Sequence, residues 1–354
     1  MENSLGGARF APETTYLNTA SSGLLPARSA AVLRQALDDA VTGRPTPGLG
    51  SESVERTREA FADLAGVPAG RVSAAASVSV HTGLIAASLP AGAEVLVADG
   101  DFSSLVAPFA ARADLKVRSV PLESLAEAVR PGTALVAVSS VQSADGRIAD
   151  LAAVREAAAA HEARTLVDAS QSVGWLPFRA DDFDYTVCGA FKWLLCPRGV
   201  SFLVVPEACD ALPSVYASWP AAEDPRGSFY GPVRLARSAS RYDQSHGLLP
   251  YLAAQHSIPV IGEVGGPAAV GAHNTALAER FRAGLARLGR EPLPAPGSAI
   301  VSVPGLGRAE DALRAAGVQI SARAGNLRVS FHLYNTAADV DRVLEVLSGL
   351  PDSP

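Results

Sequence analysis

Short apolar runs alternate with alanine- and leucine-rich segments of helical periodicity from about residue 27 to residue 205. Each apolar run predicts a strand, and each periodic segment predicts a helix. The predicted strands are Glu94–Ala98, Leu115–Arg118, Ala134–Val138, Arg164–Asp168, Asp184–Cys188 and Ser201–Val205. Several are apolar without alternation, which is typical of strands buried on both faces of a parallel sheet. The pattern predicts a three-layer α/β domain with a mostly parallel sheet.

The pattern changes after residue 205. Residues 206–247 are rich in Pro, Gly, Ser and Arg and predict loops, and a long helical stretch is predicted from about Pro250 to Leu288. The predicted elements that follow are strand Ala299–Val303, helix Glu310–Ala316, strands Val318–Ala322 and Leu327–Ser330, and helix Thr336–Leu347. This order predicts a small α+β domain. We therefore expect residues 20–250 to form the large domain, and residues 1–19 and 251–354 to form the small one.

Composition narrows the class of protein. The chain has 354 residues, of which 48% are hydrophobic, and this is enough for a large core. A net charge of -6 without any basic run argues against nucleic acid or an anionic membrane as a partner. No signal peptide or membrane-spanning stretch is visible, so we expect a cytoplasmic protein. The cysteines, Cys188, Cys196 and Cys209, lack zinc-site spacing, so reduced thiols and no metal are expected.

Ligands of open parallel sheets bind beyond the carboxyl ends of the strands. Polar residues follow four of the predicted strands there: Asp99–Ser103, Ser139–Ser143, Asp168–Ser172 and Gly189–Lys192. Lys192 is flanked by Phe191 and Trp193, and apolar surroundings lower the pKa of a lysine and favour a nucleophilic amine that can form an imine. A surface lysine that lies over two aromatic rings is the alternative.

Asp168 ends a predicted strand and is followed by Gln171. Its carboxylate could pair with the protonated ring nitrogen of pyridoxal 5'-phosphate (PLP), which keeps the ring able to accept electrons. Helix N-capping is the alternative for an Asp at this position. The combination of Lys192 with Asp168 is more informative than either residue alone, and it predicts a PLP site.

Ser77, Val78 and Ser79 precede a predicted helix from Val80 to Ser88, where hydroxyls and free backbone N–H groups could bind a phosphate. Simple N-capping is the alternative. Phe102, which follows another predicted strand, could lie flat against an aromatic cofactor or could be a core residue. These residues are therefore candidates for the phosphate and ring contacts of the cofactor.

Three further residues carry polar side chains that need a partner. Gln142 and Ser143 could donate a hydrogen bond to a cofactor hydroxyl, or could close a turn with Asp145 and Gly146. Arg328 lies within a predicted strand of the small domain, where its guanidinium could bind the α-carboxylate of a substrate in bidentate fashion. A structural salt bridge is the alternative for Arg328, since buried arginines are usually paired.

Six motifs, taken in order, resemble the class V aminotransferase family of fold-type I PLP-dependent enzymes. That family includes cysteine desulfurases, isopenicillin N epimerase-like proteins, kynureninases and carbon–sulfur lyases. The motifs are Tyr16–Gly23, Asp101–Ser104, Val141–Gly146, Val167–Ser172, Phe191–Leu194 and Leu327–Thr336. The resemblance spans nearly the whole chain and implies a fold-type I PLP-dependent transferase fold.

The resemblance assigns a role to each cofactor contact. It implies that Lys192 carries PLP as a Schiff base, that Asp168 pairs with the ring nitrogen, and that Gln171 contacts the ring hydroxyl. Gln142 or Ser143 would lie near that hydroxyl. The position of Phe102 corresponds to the residue that stacks on the ring, and Ser79 to the phosphate-binding threonine of the family.

The resemblance also implies contacts to the substrate and to a second subunit. Arg328 matches the arginine that holds the substrate carboxylate, and Asn18, in the first motif, is expected on the substrate side. In this family the site lies at a dimer interface. The segment Tyr242–His246 resembles the one that the partner subunit lends, with Ser245 and His246 as its contacting residues, so a homodimer is expected.

Two departures from the family pattern restrict the reaction. Cysteine desulfurases carry a nucleophilic cysteine on a loop after an Arg-x-Gly element, but here Arg323-Ala-Gly325 is followed directly by Asn326. The absence of that loop and its thiol disfavours a persulfide-forming desulfurase. The histidine that usually precedes the cofactor lysine is Phe191, which leaves the anchorage of the phosphate open.

These residues predict an enzyme that removes the Cα proton of an α-amino acid. β-Elimination, as in a carbon–sulfur lyase, and transamination need little beyond Lys192, Asp168 and Arg328. An amino-acid epimerase is the alternative, but it needs a second acid–base group that the sequence does not identify. A non-catalytic protein that retains the fold is an alternative of another class. A nicotinamide dehydrogenase is disfavoured, because no Gly-x-Gly-x-x-Gly motif follows the first strands.

Overall fold

The computed structural model describes residues 4–209 and 211–350, so the chain ends that bound the predicted small domain, residues 1 and 354, lie outside the described residues. The α-helices are α1 (Ala27–Thr42), α2 (Ser51–Ala65), α3 (Val78–Ser88), α4 (Ser103–Ala110), α5 (Leu151–Ala160), α6 (Leu248–Ser257), α7 (Pro259–Glu263), α8 (Gly266–Arg287), α9 (Glu310–Ala315) and α10 (Ala337–Ser348). The strands are β1 (Thr15–Tyr16), β2 (Val72–Ala75), β3 (Glu94–Ala98), β4 (Lys116–Val120), β5 (Thr133–Ser139), β6 (Arg164–Asp168), β7 (Tyr185–Gly189), β8 (Ser201–Val204), β9 (Ile300–Val303), β10 (Val318–Gln319), β11 (Ser321–Arg323) and β12 (Asn326–Ser330).

Seven strands form one sheet in the order β2-β8-β7-β6-β5-β3-β4. Neighbouring strands from β4 to β7 run parallel, whereas β8 is antiparallel to both β7 and β2. The central strands are almost wholly buried, as their apolar sequences require. The predicted α/β fold with a mostly parallel sheet is confirmed.

The sheet places the candidate residues together because parallel strands end at the same edge. The loop after β3 contains Phe102, the loop after β5 contains Ser143, and the loop after β7 contains Lys192. Asp168 is the last residue of β6. Strand β2, which leads into Ser77, is absent from the predicted strands. Its sequence Val-Ser-Ala-Ala contains a single β-branched residue, so its strand structure depends on pairing with β8.

The C-terminal part contains a second sheet with strand order β11-β12-β9, all antiparallel. A two-residue turn, Ala324 and Gly325, joins β11 to β12, and both residues have positive φ, 49° and 79°. The predicted strand Val318–Ala322 is divided here, because β10 pairs with β1 near the start of the chain. The hairpin leaves no room for an additional loop before Arg328.

The predicted helical stretch from Pro250 to Leu288 is helical in the structure, and it is divided into three helices, α6 to α8. Pro259 is the first residue of α7 and provides no N–H for a continuing helix. Gly265 has a φ of 104°, which ends α7 and turns the chain into α8. No helix of the described residues is long and apolar enough to cross a membrane.

Candidate active site

Lys192 lies in a tight turn directly after β7. The turn is held by two backbone hydrogen bonds, from Leu195 N to Lys192 O and from Cys196 N to Ala190 O. The N-terminal segment packs on it through Gly23, whose N donates to Phe191 O at 2.9 Å. Gly23 lies so close to Lys192 O that a Cβ would collide with it. These contacts fix the backbone from which the Lys192 side chain extends.

The Lys192 amine is buried, with 5% of the side chain exposed, and it faces two aromatic rings. Its Nζ lies 5.0 Å from the ring centroid of Phe102 and 5.7 Å from that of Phe191. Burial lowers the pKa of Lys192 to about 8, and the nearby Asp168 carboxylate opposes that shift. Arg328 and Arg198 lower it further. A substantial fraction of the amine is therefore neutral and nucleophilic near physiological pH.

The Asp168 carboxylate lies at the end of β6 and is buried. Ser170 donates two hydrogen bonds to the same oxygen, Oδ1, from its N at 2.9 Å and from its Oγ at 2.5 Å. Ser170 Oγ in turn accepts a hydrogen bond from Gly189 N at 2.7 Å, which ties β6 to β7. Burial raises the pKa of Asp168, while Lys192 lowers it. A cation next to this carboxylate would stabilise its charged form.

Gln171 makes three hydrogen bonds that leave its amide fully engaged. Its Nε2 donates to Ser143 Oγ at 2.9 Å and to Ala20 O at 3.0 Å, and its Oε1 accepts from Trp193 Nε1 at 2.7 Å. Gln171 therefore positions Trp193 and Ser143 in this structure, and the Ser143 side chain is the one that lines the cleft. Ser143 Oγ also accepts from Arg328 Nη1 at 3.2 Å, so its own proton is available to a ligand.

Arg328 lies on β12 with 1% of its surface exposed. Its guanidinium donates to Ser321 Oγ at 3.2 Å and to Ser21 Oγ at 2.6 Å, and Nη1 also donates to Ser143 O. Burial and the nearby Arg323 lower the pKa of Arg328 to about 9. Within the described residues no carboxylate forms an ion pair with it. A buried guanidinium without a carboxylate is a ready site for an anion.

A cleft of about 120 Å³ brings these side chains to one surface. Its described lining residues are Ala20, Ser21, Phe102, Ser143, Phe191, Lys192, Arg198, Arg323 and Arg328. Phe102 is 44% exposed there, so it is a surface of the cleft and not a core residue. Ser21 and Arg198 were not predicted as site residues from the sequence, and Arg323 was seen only as part of a motif. The sequence also contains a further signal that favours Lys192 as the cofactor lysine, because the chain has only two lysines, Lys116 and Lys192.

The three predicted phosphate contacts lie at the start of α3, which begins at Val78. The hydroxyls of Ser77 and Ser79 lie 3.1 Å apart, and Ser77 makes no side-chain capping bond. The Val78 side chain is buried, which leaves its backbone N–H as the group that a phosphate could reach. Gly189, at the end of β7, lies against Val78, so this helix terminus borders the turn that carries Lys192.

Other predicted site residues are placed outside the cleft lining. Gln142 is buried and donates to Asp101 Oδ2 at 3.2 Å and to Ser139 O at 3.4 Å. Asn18 is half-buried, and its backbone forms a bridge with Ser330 while its Oδ1 has no partner. Neither side chain is among the described residues that line the cleft.

The two residues that were expected to contact a partner subunit, Ser245 and His246, point in different directions. Ser245 is exposed, but the His246 side chain is turned into its own chain, with Nε2 3.4 Å from Asp243 Oδ2. The His246 ring also packs edge-on against Tyr251, with centroids 5.3 Å apart. Asp243 itself is held by Arg58, Ser73 Oγ and the backbone N of residue 74.

The three cysteines are buried and not paired in disulfides. Burial raises the pKa of Cys188 and of Cys196, so both favour the protonated thiol. Neither lies among the described residues that line the cleft. The tight turn at Ala324 and Gly325 supplies no further side chain to the site, so the cleft contains no thiol within the described part of the chain.

The residues present fit PLP. A buried amine of lowered pKa, a buried carboxylate with one oxygen oriented by Ser170, and an exposed aromatic face at Phe102 are groups that could hold its aldehyde carbon, ring nitrogen and ring. The start of α3 supplies backbone N–H groups for a phosphate. These features lie at the carboxyl end of one sheet.

Comparisons with known proteins show what the chain is similar to. The family model described as aminotransferase class V matches residues 41–218. An uncharacterised aminotransferase, YcbU, of Bacillus subtilis (strain 168) is 31% identical over 183 residues, which cover 48% of this chain and 50% of that protein. Isopenicillin N epimerase of Amycolatopsis lactamdurans is 29% identical, with 96% of each chain covered. The match to the Bacillus protein thus spans about half of its length.

Solved structures share the fold over nearly the full chain. A complex of the cystine C–S lyase C-DES with its product cysteine persulfide has a TM-score of 0.85 at 20% identity, covering 96% of this chain and 98% of that one. The apo cysteine desulfurase of Thermococcus onnurineus NA1 has a TM-score of 0.82 at 19% identity, covering 95% and 94%. At these identities the likeness shows the fold alone.

Proposed function

Because the chain belongs to the class V aminotransferase family of PLP-dependent enzymes, we propose that Lys192 holds PLP covalently and removes the Cα proton of an α-amino acid. The observation that carries this proposal is the buried Lys192 amine, with a pKa of about 8, in the same cleft as the Arg328 guanidinium. An amine of this pKa can both attack an aldehyde and accept a proton.

Four groups of this chain would hold the cofactor. Lys192 Nζ would bind its aldehyde carbon, the Asp168 carboxylate would keep a proton on the ring nitrogen, and the face of Phe102 would cover the ring. The hydroxyl proton of Ser143 would be donated to the ring hydroxyl oxygen, since Ser143 Oγ already accepts from Gln171 and Arg328. PLP bound in this way withdraws electrons from Cα of the attached amino acid.

The substrate would be oriented by its carboxylate. Arg328 Nη2 now donates to Ser21 Oγ at 2.6 Å, and an incoming carboxylate would replace this neutral acceptor with a charged one. The substrate amino group would occupy the position that Lys192 Nζ holds, and the Lys192 amine would then be free in the same cleft. The neutral amine then accepts the proton from Cα.

β-Elimination and transamination both need only this one base, and we favour them. Apart from Lys192, the ionisable side chains among the described lining residues are all arginines. Guanidinium groups are poor proton acceptors, so the described cleft offers no second base for the opposite face of Cα. The missing thiol loop disfavours a desulfurase for the same chain.

Epimerisation is the second candidate, because the isopenicillin N epimerase of Amycolatopsis lactamdurans is similar over 96% of both chains. A single lysine could serve both faces only if the substrate or the lysine moved between the two proton transfers. This requirement distinguishes the epimerase from the lyase and the aminotransferase. The three reactions share the removal of the Cα proton.

A homodimer forms part of the proposal. Several large apolar side chains are exposed on the single chain, and exposed apolar surface is typical of an interface with a protein partner. They are Leu37, Val41, Val215, Tyr216, Phe229 and Tyr230. Light scattering of the purified protein should give about twice the 36.4 kDa mass of the chain, and a monomer would contradict the dimer.

Two measurements test the reaction itself. Purified protein should show a visible absorption band that borohydride bleaches, and Lys192→Ala should abolish that band. Incubation with an amino-acid panel in D₂O, followed by proton NMR, should show loss of the Cα–H signal. PLP binding without exchange for any amino acid would favour the non-catalytic alternative. Pyruvate and ammonia release, keto-acid-dependent amino transfer and chiral analysis then separate the lyase, aminotransferase and epimerase.

A further inference from the structure

Three arginine side chains meet at one residue of the cleft, Ser21. Arg328 and Arg323 both donate to Ser21 Oγ, at 2.6 and 3.0 Å, and Arg198 donates to Ser21 O at 3.4 Å. Because two of them bind the same oxygen, their donor nitrogens lie less than about 6 Å apart. Like charges at this distance repel each other, and Arg323 contributes to the lowered pKa of Arg328.

No carboxylate of the described residues pairs with any of the three. The chain pairs a buried arginine with an acid elsewhere: Arg58, as buried as Arg328, has Asp243 at 2.6 Å. Burying a guanidinium without such a partner is costly. The contrast between Arg58 and Arg328 indicates that the positive charge in the cleft is compensated by a ligand.

The α-carboxylate of an amino acid carries a single negative charge, which Arg328 would bind. Arg198 and Arg323 then remain at the rim of the same cleft. Arg198 packs over Phe191, with its Cζ 4.3 Å from the ring centroid, and Arg323 ends strand β11 at the tight turn. The expected phosphate site is the start of α3, whose serines lie outside this lining. The two rim arginines therefore face the part of the substrate beyond its α-carboxylate.

We propose that the substrate is an α-amino acid whose side chain ends in an anionic group, bound by Arg198 and Arg323. The inference rests on the proposed function for the α-carboxylate site at Arg328. The convergence of the arginines on Ser21 restricts the two anionic groups to a short separation. A side chain of aspartate or glutamate length that ends in a carboxylate or a sulfinate meets this condition.

The test compares acidic amino acids with their neutral amide counterparts on the holoenzyme. We expect kcat/KM for Cα–H exchange of aspartate, glutamate or cysteine sulfinate to exceed that of asparagine and glutamine by at least tenfold. In Arg198→Gln and Arg323→Gln this ratio should fall towards one. Arg287→Gln, at the exposed end of α8, is the matched control and should keep the ratio.

A binding measurement gives a readout that does not depend on turnover. Calorimetry of the holoenzyme should show at least tenfold tighter binding of succinate than of butyrate, with the difference lost in both rim variants. Equal binding of the two, or equal turnover of acids and amides, would overturn the inference while leaving the proposed reaction intact. A weaker affinity for PLP in the rim variants, with the acid preference unchanged, would instead assign these arginines to the cofactor. If no amino acid exchanges its Cα proton, the proposed function fails and calorimetry alone decides the anion site.

Discussion

Lys192 should react with PLP at neutral pH far faster than an ordinary lysine does, because only a neutral amine attacks the aldehyde. Its pKa of about 8 compares with 10.5 for a lysine in water. At pH 7.5 about a quarter of an amine with the lower value is neutral, against about a thousandth at the ordinary value. The structure therefore predicts an advantage of roughly 200-fold from protonation alone.

The assay follows the visible band when apoprotein is mixed with PLP from pH 6.5 to 10. The rate should rise with pH and level off above a midpoint near 8. Lys116, an exposed residue of β4, is an internal control, since it is the only other lysine of the chain. Borohydride trapping at pH 7.5, followed by peptide mapping, should label Lys192 well before Lys116, and mapping also separates the α-amino group of the chain.

Two variants test the cause of the shift. Asp168→Asn removes the negative charge that raises the pKa of Lys192, so the midpoint should move below 8. Arg328→Gln removes a positive charge that lowers this pKa, so the midpoint should move above 8. A midpoint near 10 in the wild-type apoprotein, or shifts of the same sign in both variants, would refute the electrostatic account of Lys192.

The remaining predictions concern buried contacts. Asp243→Asn leaves the buried Arg58 with only the exposed Glu55 as a charge partner, so urea titration should show a loss of about 3 kcal/mol, and an unchanged midpoint would contradict the pairing. Ala324→Gly relieves a φ of 49° and should add about 1 kcal/mol in the same titration, whereas a loss would argue against strain in this turn. Trp193→Phe deprives Gln171 Oε1 of its donor and should cost about 1–3 kcal/mol, which a stability equal to wild type would disprove.

The central strands could be predicted from the sequence because burial on both faces demands continuous apolar runs. Strand β6, Arg164–Asp168, agrees with its predicted bounds. Strand β2 could not be predicted in the same way, since four small residues become a strand only through pairing with β8, far along the chain. The breaks of the long helical stretch at Pro259 and Gly265 follow from residue types that were visible in the sequence.

The candidate site could be predicted where a residue type and a strand end coincide, as at Lys192 and Asp168. Side-chain direction could not, because it depends on neighbours from other segments. Gln142 turns towards Asp101, and His246 turns towards Asp243. Asp101 lies 41 residues before Gln142, and Asp243, three residues before His246, is held in place by Arg58 of α2.

The contact of three arginines with Ser21 could not be predicted from the sequence. Ser21, Arg198 and Arg323 belong to three segments that only the folded chain brings together. Each is an ordinary surface residue in its own segment. The excess of positive charge around Ser21, which no carboxylate of the described residues balances, arises only when the chain folds.

A continuous chain of hydrogen bonds connects the substrate end of the cleft to the turn that carries Lys192. Arg328 donates to Ser143, Ser143 accepts from Gln171, and Gln171 accepts from Trp193. The backbone carbonyl of Trp193 is bonded at 3.0 Å to the buried ring of His332, which follows β12 and is two residues from Ser330. The two ends of this series of hydrogen bonds are Arg328, which lies in β12, and His332, which lies just after β12. The same hydrogen bonds therefore fix the positions of both Arg328 and Trp193, the residue next to Lys192.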